Sequence, residues 1–80
     1  MDTYSTVKNS LLFLLATNQM SIHKLAIESA VAPSTIKNIL YGKSVNPGIV
    51  TIKMLCDGLG ISLIDFFNTK EFLELEQEIK

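Results

Sequence analysis

Apolar residues recur along this chain at three- and four-residue spacings, and no stretch carries the signal of a strand. The pattern predicts an all-α protein. From Thr3 to Thr17, Val7, Leu11, Leu14 and Leu15 are spaced to face a core, and Asn18 and Gln19 close the segment. Leu12 and Phe13 widen the stripe, which predicts a well-buried core helix; the other reading is a patch for a second protein. Ser21 caps a second helix, Ile22 to Ser29, and Ala30 to Ala32 make a turn. Pro33 suits the first position of a third helix, where its missing N–H costs nothing and its φ is already helical. Ala32 offers no capping oxygen, which weakens that start by about 1 kcal/mol against Ser or Thr. The third helix runs to Tyr41 and stops at Gly42, a residue able to turn left-handed.

Beyond the loop Lys43 to Pro47, Asn46 is placed to cap a fourth helix with Pro47 in its first turn. Val50, Met54, Leu55 and Leu59 give that helix an inward face to about Gly58, and Gly60 breaks it. Ser62 with Asp65 caps a short fifth helix whose Leu63, Phe66 and Phe67 are core. Asn68 with Glu71 opens a last helix, on which Phe72, Leu75 and Ile79 share one face with glutamates between them.

Eighty residues at 48% hydrophobic content suffice for one core, so the chain reads as a single domain. The apolar run Leu11 to Ala16 is far shorter than the roughly 20 residues that cross a bilayer, and no basic segment leads into a cleavage site. A soluble, cytoplasmic protein without a membrane partner is expected. Cys56 has no partner for an internal disulfide and no His/Cys cluster beside it, so it reads as a small buried hydrophobe and no metal site is expected. His23 reads as a surface residue near the start of the second helix, with a phosphate contact as the sharper option. There is no paired nucleophile and base, carboxylate dyad or phosphate-binding glycine loop, so neither an enzyme nor a cofactor is expected.

The formal net charge of −1 conceals an asymmetry: residues 1–56 sum to +3 and residues 57–80 to −4. Separated in space, these halves would present a modestly positive face while the acidic end points away or meets a partner. No arginine is present, and lysine lacks the planar fork that reads guanine best, so nucleic-acid affinity should be modest and salt-sensitive.

The segment Ser21 to Gly42, SIHKLAIESAVAPSTIKNILYG, has the layout of a helix-turn-helix. Ala26 permits close approach of the helices, Val31 follows the turn, and Ile36 and Ile39 face inward. Ser34, Lys37, Asn38 and Tyr41 then share the outward face of the third helix, where polar groups can bond to base edges. With PSTIKNILYGK, NPGIVTIKMLCDGLG and ISLIDFF following KLAIESAV in this order, residues 5–68 resemble the phage-repressor type of helix-turn-helix domain, the xenobiotic-response-element family of bacterial regulators.

The resemblance implies a compact five-helix, lambda-repressor-like DNA-binding domain over residues 1–68, its helix-turn-helix at 22–41. An acidic amphipathic segment, 69–80, follows as a short helical extension. It implies a transcriptional regulator, a repressor acting on a double-stranded DNA operator, with the third helix in the major groove. Carried onto this sequence, base-edge contacts fall to Pro33, Ser34, Thr35, Lys37 and Asn38. Phosphate contacts fall to Ser21 and Ile22, then Lys43, Ser44, Asn46 and the backbone of Gly48. Ile22 stands where relatives often carry glutamine, and Ala30 where glycine is usual; a left-handed backbone there would cost roughly 1–2 kcal/mol. Val45 and Gly48 replace positions that are often basic. Weak monomer binding makes a homodimer expected, with Phe72, Leu75 and Ile79 as its surface. The alternative is a protein-interaction or antitoxin-like module that uses the first helix or the acidic tail on a protein partner.

Overall fold

In the computed structural model of the chain, which describes residues 1–79, six helices follow one another. They are α1 (Thr3–Thr17), α2 (Ile22–Ser29), α3 (Pro33–Leu40), α4 (Ile49–Leu59), α5 (Leu63–Phe67) and α6 (Lys70–Leu73), and no strand occurs among the described residues. Side-chain oxygens start four of them. Asp2 accepts the Ser5 N–H at 2.8 Å, Ser21 that of Lys24 at 3.0 Å, Ser62 that of Asp65 at 2.9 Å, and Thr69 that of Phe72 at 3.4 Å. Hydrogen bonds from the Ser5 backbone and then its side chain hold the Asp2 carboxyl below the usual carboxylate range. That cap is therefore fully formed above the ordinary carboxylate pKa and is lost as the pH falls through the lowered one.

The inward faces of α1 to α5 meet in one core, in which Leu11, Leu25, Ile36, Ile39, Leu55 and Cys56 are fully buried. Helices α2 and α4 approach each other closely. A Cβ built on Gly58 would lie 2.8 Å from the Ser29 Cβ and 2.9 Å from the Ser29 backbone nitrogen, so only glycine lets the two backbones come this near. Ser29 is itself buried and satisfied, its hydroxyl donating to the Leu25 carbonyl at 2.6 Å and accepting from Val31 N–H at 3.3 Å. Its neighbour Ala30 ends α2 with φ 58° and ψ 27°, so an L-residue with a methyl group holds the left-handed turn usually given to glycine.

The expected bounds of α1 and α2 agree with the structure, and α3 ends at Leu40 with Tyr41 as its cap. Three expectations are corrected. Leu12 and Phe13 are exposed, 45% and 66%, because the face centred on Val7, Leu11 and Leu15 already meets the core and these two fall beyond its edge. Gly48, not Asn46, caps α4, without a side-chain bond. Pro47 instead stays in the loop, half-buried in a cleft shared with Tyr4, Val7 and Ile52. The inward face of α4 is then set by Ile52, Leu55, Cys56 and Leu59, which leaves Val50 70% exposed.

The C-terminal helix is also shorter than expected. Thr69, not Asn68, caps α6, and the helix ends at Leu73 with Glu74 as its C-cap, so Phe72, Leu75 and Ile79 do not form one helical stripe. Phe72 packs inward against Phe66 and Phe67, with ring centroids 5.9 and 4.9 Å away. Leu75 is half-buried and Ile79 exposed. The tail then returns to the start of α1, where the Glu78 carboxylate accepts from the Thr3 N–H at 3.0 Å and its hydroxyl at 2.9 Å. The last residue of the expected 69–80 segment, Lys80, lies outside the described residues.

Three substitutions probe this frame by urea denaturation. Gly58→Ala forces α2 and α4 apart and lowers stability by about 1–3 kcal/mol. Ala30→Gly relieves the left-handed methyl and raises it by about 0.5–1 kcal/mol, the relief being partly offset by the greater backbone entropy of glycine. Tyr4→Phe removes the hydroxyl that donates to the Ile39 carbonyl. It costs about 1 kcal/mol, and amide exchange quickens in the last turn of α3 before it does in α2.

Candidate nucleic-acid interface

Helix α3 turns Ile36, Ile39 and Leu40 into the core and leaves Pro33, Ser34, Thr35, Lys37, Asn38 and Tyr41 exposed. Pro33 occupies its first position, and no side chain caps the start; the Ala32 carbonyl accepts from Thr35 N–H at 3.0 Å and Ile36 N–H at 3.2 Å. The other end is fastened more heavily. Tyr41 N–H bonds to the Lys37 carbonyl at 2.8 Å, and Gly42 then takes φ +86°. The Asn38 carbonyl accepts from both Lys43 N–H, at 2.9 Å, and Ser44 N–H, at 2.8 Å. The Tyr4 hydroxyl of α1 closes on the Ile39 carbonyl. One residue, Asn38, thus presents its side chain outward while its backbone anchors the loop that carries Lys43.

Lys43, Asn46 and Gly48 are exposed along that loop and Ser44 is half-buried. At the start of α2, Ser21 uses its hydroxyl on its own helix. Ile22 is half-buried against the core, so it can offer a ligand only its main-chain N–H. His23 is exposed. The structure ties the start of the loop, Lys43 and Ser44, to the end of α3 at the Asn38 carbonyl. Phe72, Leu75 and Ile79 are not gathered into a surface of their own.

Charge sharpens the picture. Between Glu28 and Asp57 the sequence contains Lys37, Lys43 and Lys53 and no acid. Lys53 pairs with Asp57 one helical turn on, as Lys24 does with Glu28 at 2.9 Å and Lys70 with Glu74 at 3.7 Å. Such exposed pairs contribute only about 0.3–0.5 kcal/mol, but they neutralise their lysines. Lys8, Lys37 and Lys43 form no ion pair among the described residues, and two of these three stand on α3 and its loop.

Other chemistry is not assembled. Burial, and then Asp57, push the Cys56 thiol up, which leaves it unreactive. Among the described residues no group of three or more His, Cys, Asp or Glu side chains could hold a metal ion, and no helix is long and apolar enough to cross a membrane. The sequence reading missed Tyr4, whose role depends on a partner 35 residues away. The one local hint is an aromatic residue with a polar tip at the edge of an apolar stripe.

Known proteins place this arrangement. The sequence pattern of the Cro/C1-type HTH DNA-binding domain matches residues 11–71. Among solved structures, the crystal structure of the prophage Lp1 protein 11 is similar, with a TM-score of 0.79 and 32% sequence identity over 94% of this chain and 100% of that one. No curated protein matches. The matched span contains all of α2 to α5, including the α3 face and its loop, and the chain belongs to the Cro/C1-type helix-turn-helix DNA-binding family, which is not an enzyme family.

Proposed function

We propose that this protein is a sequence-specific transcriptional regulator, a repressor that excludes polymerase from an operator by inserting α3 into the major groove. One observation carries the reading: the exposed face of α3 and its loop combines hydrogen-bonding side chains with Lys37 and Lys43, in a stretch free of acids. Asn38 pairs bidentately with an adenine edge, Lys37 donates to guanine or phosphate, Ser34 and Thr35 bond either base edge, and Pro33 touches a thymine methyl. Lys43, Ser44, Asn46 and the Gly48 backbone hold the phosphates on one side, and Ser21 with the Ile22 N–H on the other. The alternative, an antitoxin-like module that does not touch DNA, leaves the unpaired Lys37 and Lys43 without a role.

Two unpaired lysines give one copy a weak, salt-sensitive grip. Two copies on adjacent half-sites of a palindrome multiply it through effective concentration. Of the residues expected to join them, Phe72 is engaged in its own aromatic cluster, which leaves Leu75 and Ile79 for the contact. The protein acts in the cytoplasm, on the DNA there.

Selection of bound sequences from random duplex DNA, at low and at physiological salt, tests the reading. A palindromic motif is expected; a folded protein that enriches nothing at either salt would overturn it. On the selected site, Asn38→Ala loses about 1–3 kcal/mol and relaxes one base preference, whereas Lys43→Ala weakens all sequences alike and lowers the salt slope by about one. Equal losses on selected and random DNA for both variants contradict the assignment. In sedimentation, two chains are expected per palindromic site, and Leu75→Glu should reduce this to one.

A further inference from the structure

A groove of about 510 Å³ runs along α1 on a side of the molecule that the DNA reading does not use. Phe13 and Leu14 of α1 line it together with Ile61 and Phe66, and the exposed Asp65 and Glu71 line it too. No residue of α2, α3 or the loop between α3 and α4 lines it. Phe13 is 66% exposed at its edge, an aromatic ring left in water where a core position was expected. An apolar furrow rimmed by polar groups is the form of a helix-binding site.

Charge identifies the occupant. Asp65 and Glu71 form no ion pair among the described residues. The lysine nearest them in sequence, Lys70, is tied to Glu74. Met1 lines the groove as well, and its ammonium is near enough to Asp2 to help hold that carboxyl charged. A second copy of this chain brought groove to groove would set Asp65 and Glu71 against their own counterparts, since no lysine lines the groove. A partner with apolar residues along one helical face and lysine or arginine beside them satisfies both the apolar lining and the two acids. We propose that this groove binds a basic amphipathic helix of another protein, on a surface separate from the DNA-binding face.

The test uses the full chain and a fluorescein-labelled helical peptide of leucine and lysine, with its leucine–glutamate counterpart as control. Fluorescence anisotropy should show binding of the lysine peptide that weakens with salt, and no comparable binding of the glutamate peptide. Amide chemical shifts should move along α1 from Asn9 to Leu14 and in α5 and α6, and stay still in α3. Phe13→Ser and the double variant Asp65→Lys with Glu71→Lys should each reduce affinity about tenfold or more, while Glu76→Gln leaves it unchanged. Phe13 and the two acids are exposed, so both variants should retain the helical circular dichroism of the parent; if either unfolds, the other still decides. Equal binding of the two peptides, shifts confined to the acidic tail, or affinity indifferent to both variants would overturn the proposal. So would a concentration-dependent dimer that Phe13→Ser dissolves, since it would make a second copy the occupant.

Discussion

The absence of one side chain sets the spacing on which this domain depends. At Gly58 the backbone of α4 comes so close to Ser29 that even a methyl group would collide with the backbone of α2. That contact seats the C-terminal end of α2 against α4. The direction in which the chain leaves α2 follows, through the left-handed Ala30 and the buried Val31. Helix α3 is thus aimed by a packing constraint located on a different helix, and its outward residues inherit their orientation from it.

A second set of restraints holds the far end of α3. The Tyr4 hydroxyl fastens its last turn to α1, and the Asn38 carbonyl gathers in the two amides that begin the next loop. Polar restraints suit this end because the side chains that surround it must stay exposed for a ligand, so apolar burial cannot supply the rigidity. The end of α3 and the loop that follows are then joined by main-chain bonds of 2.9 Å or less. A loop free to move independently would have to be ordered on binding, at an entropic cost that so few lysines could hardly offset.

Charge is unevenly distributed along the chain. Ion pairs one turn apart engage lysines on α2, α4 and α6, and of the three unpaired lysines Lys37 and Lys43 stand on α3 and its loop and Lys8 on α1. Of the acids in the last third, Asp65 and Glu71 line an apolar groove beside the exposed Phe13, whereas Glu78 returns to Thr3. The net charge near zero conceals an asymmetry along the chain, +3 over residues 1–56 and −4 over residues 57–80.

The sequence by itself determined the all-α class, the bounds of α1 and α2, and the inward set Val7, Leu11, Ala26, Val31, Ile36 and Ile39. Each of these follows from helical periodicity, a capping oxygen or a helix-stopping residue a few positions away. The exposed face of α3 was legible for the same reason, since it is the complement of its buried face. Only the tertiary structure decided the rest. The phase of α4 depended on Pro47 settling into a cleft made by α1, which moved the cap from Asn46 to Gly48 and turned Val50 outward. Leu12 and Phe13 were left in water because the core offers α1 only one stripe of contact. Phe72 folded inward because two phenylalanines of α5 were there to receive it, and Tyr4 became a tether because Ile39 ended beside it. In each case the deciding partner is remote along the chain, and no local pattern records where a remote residue will stand.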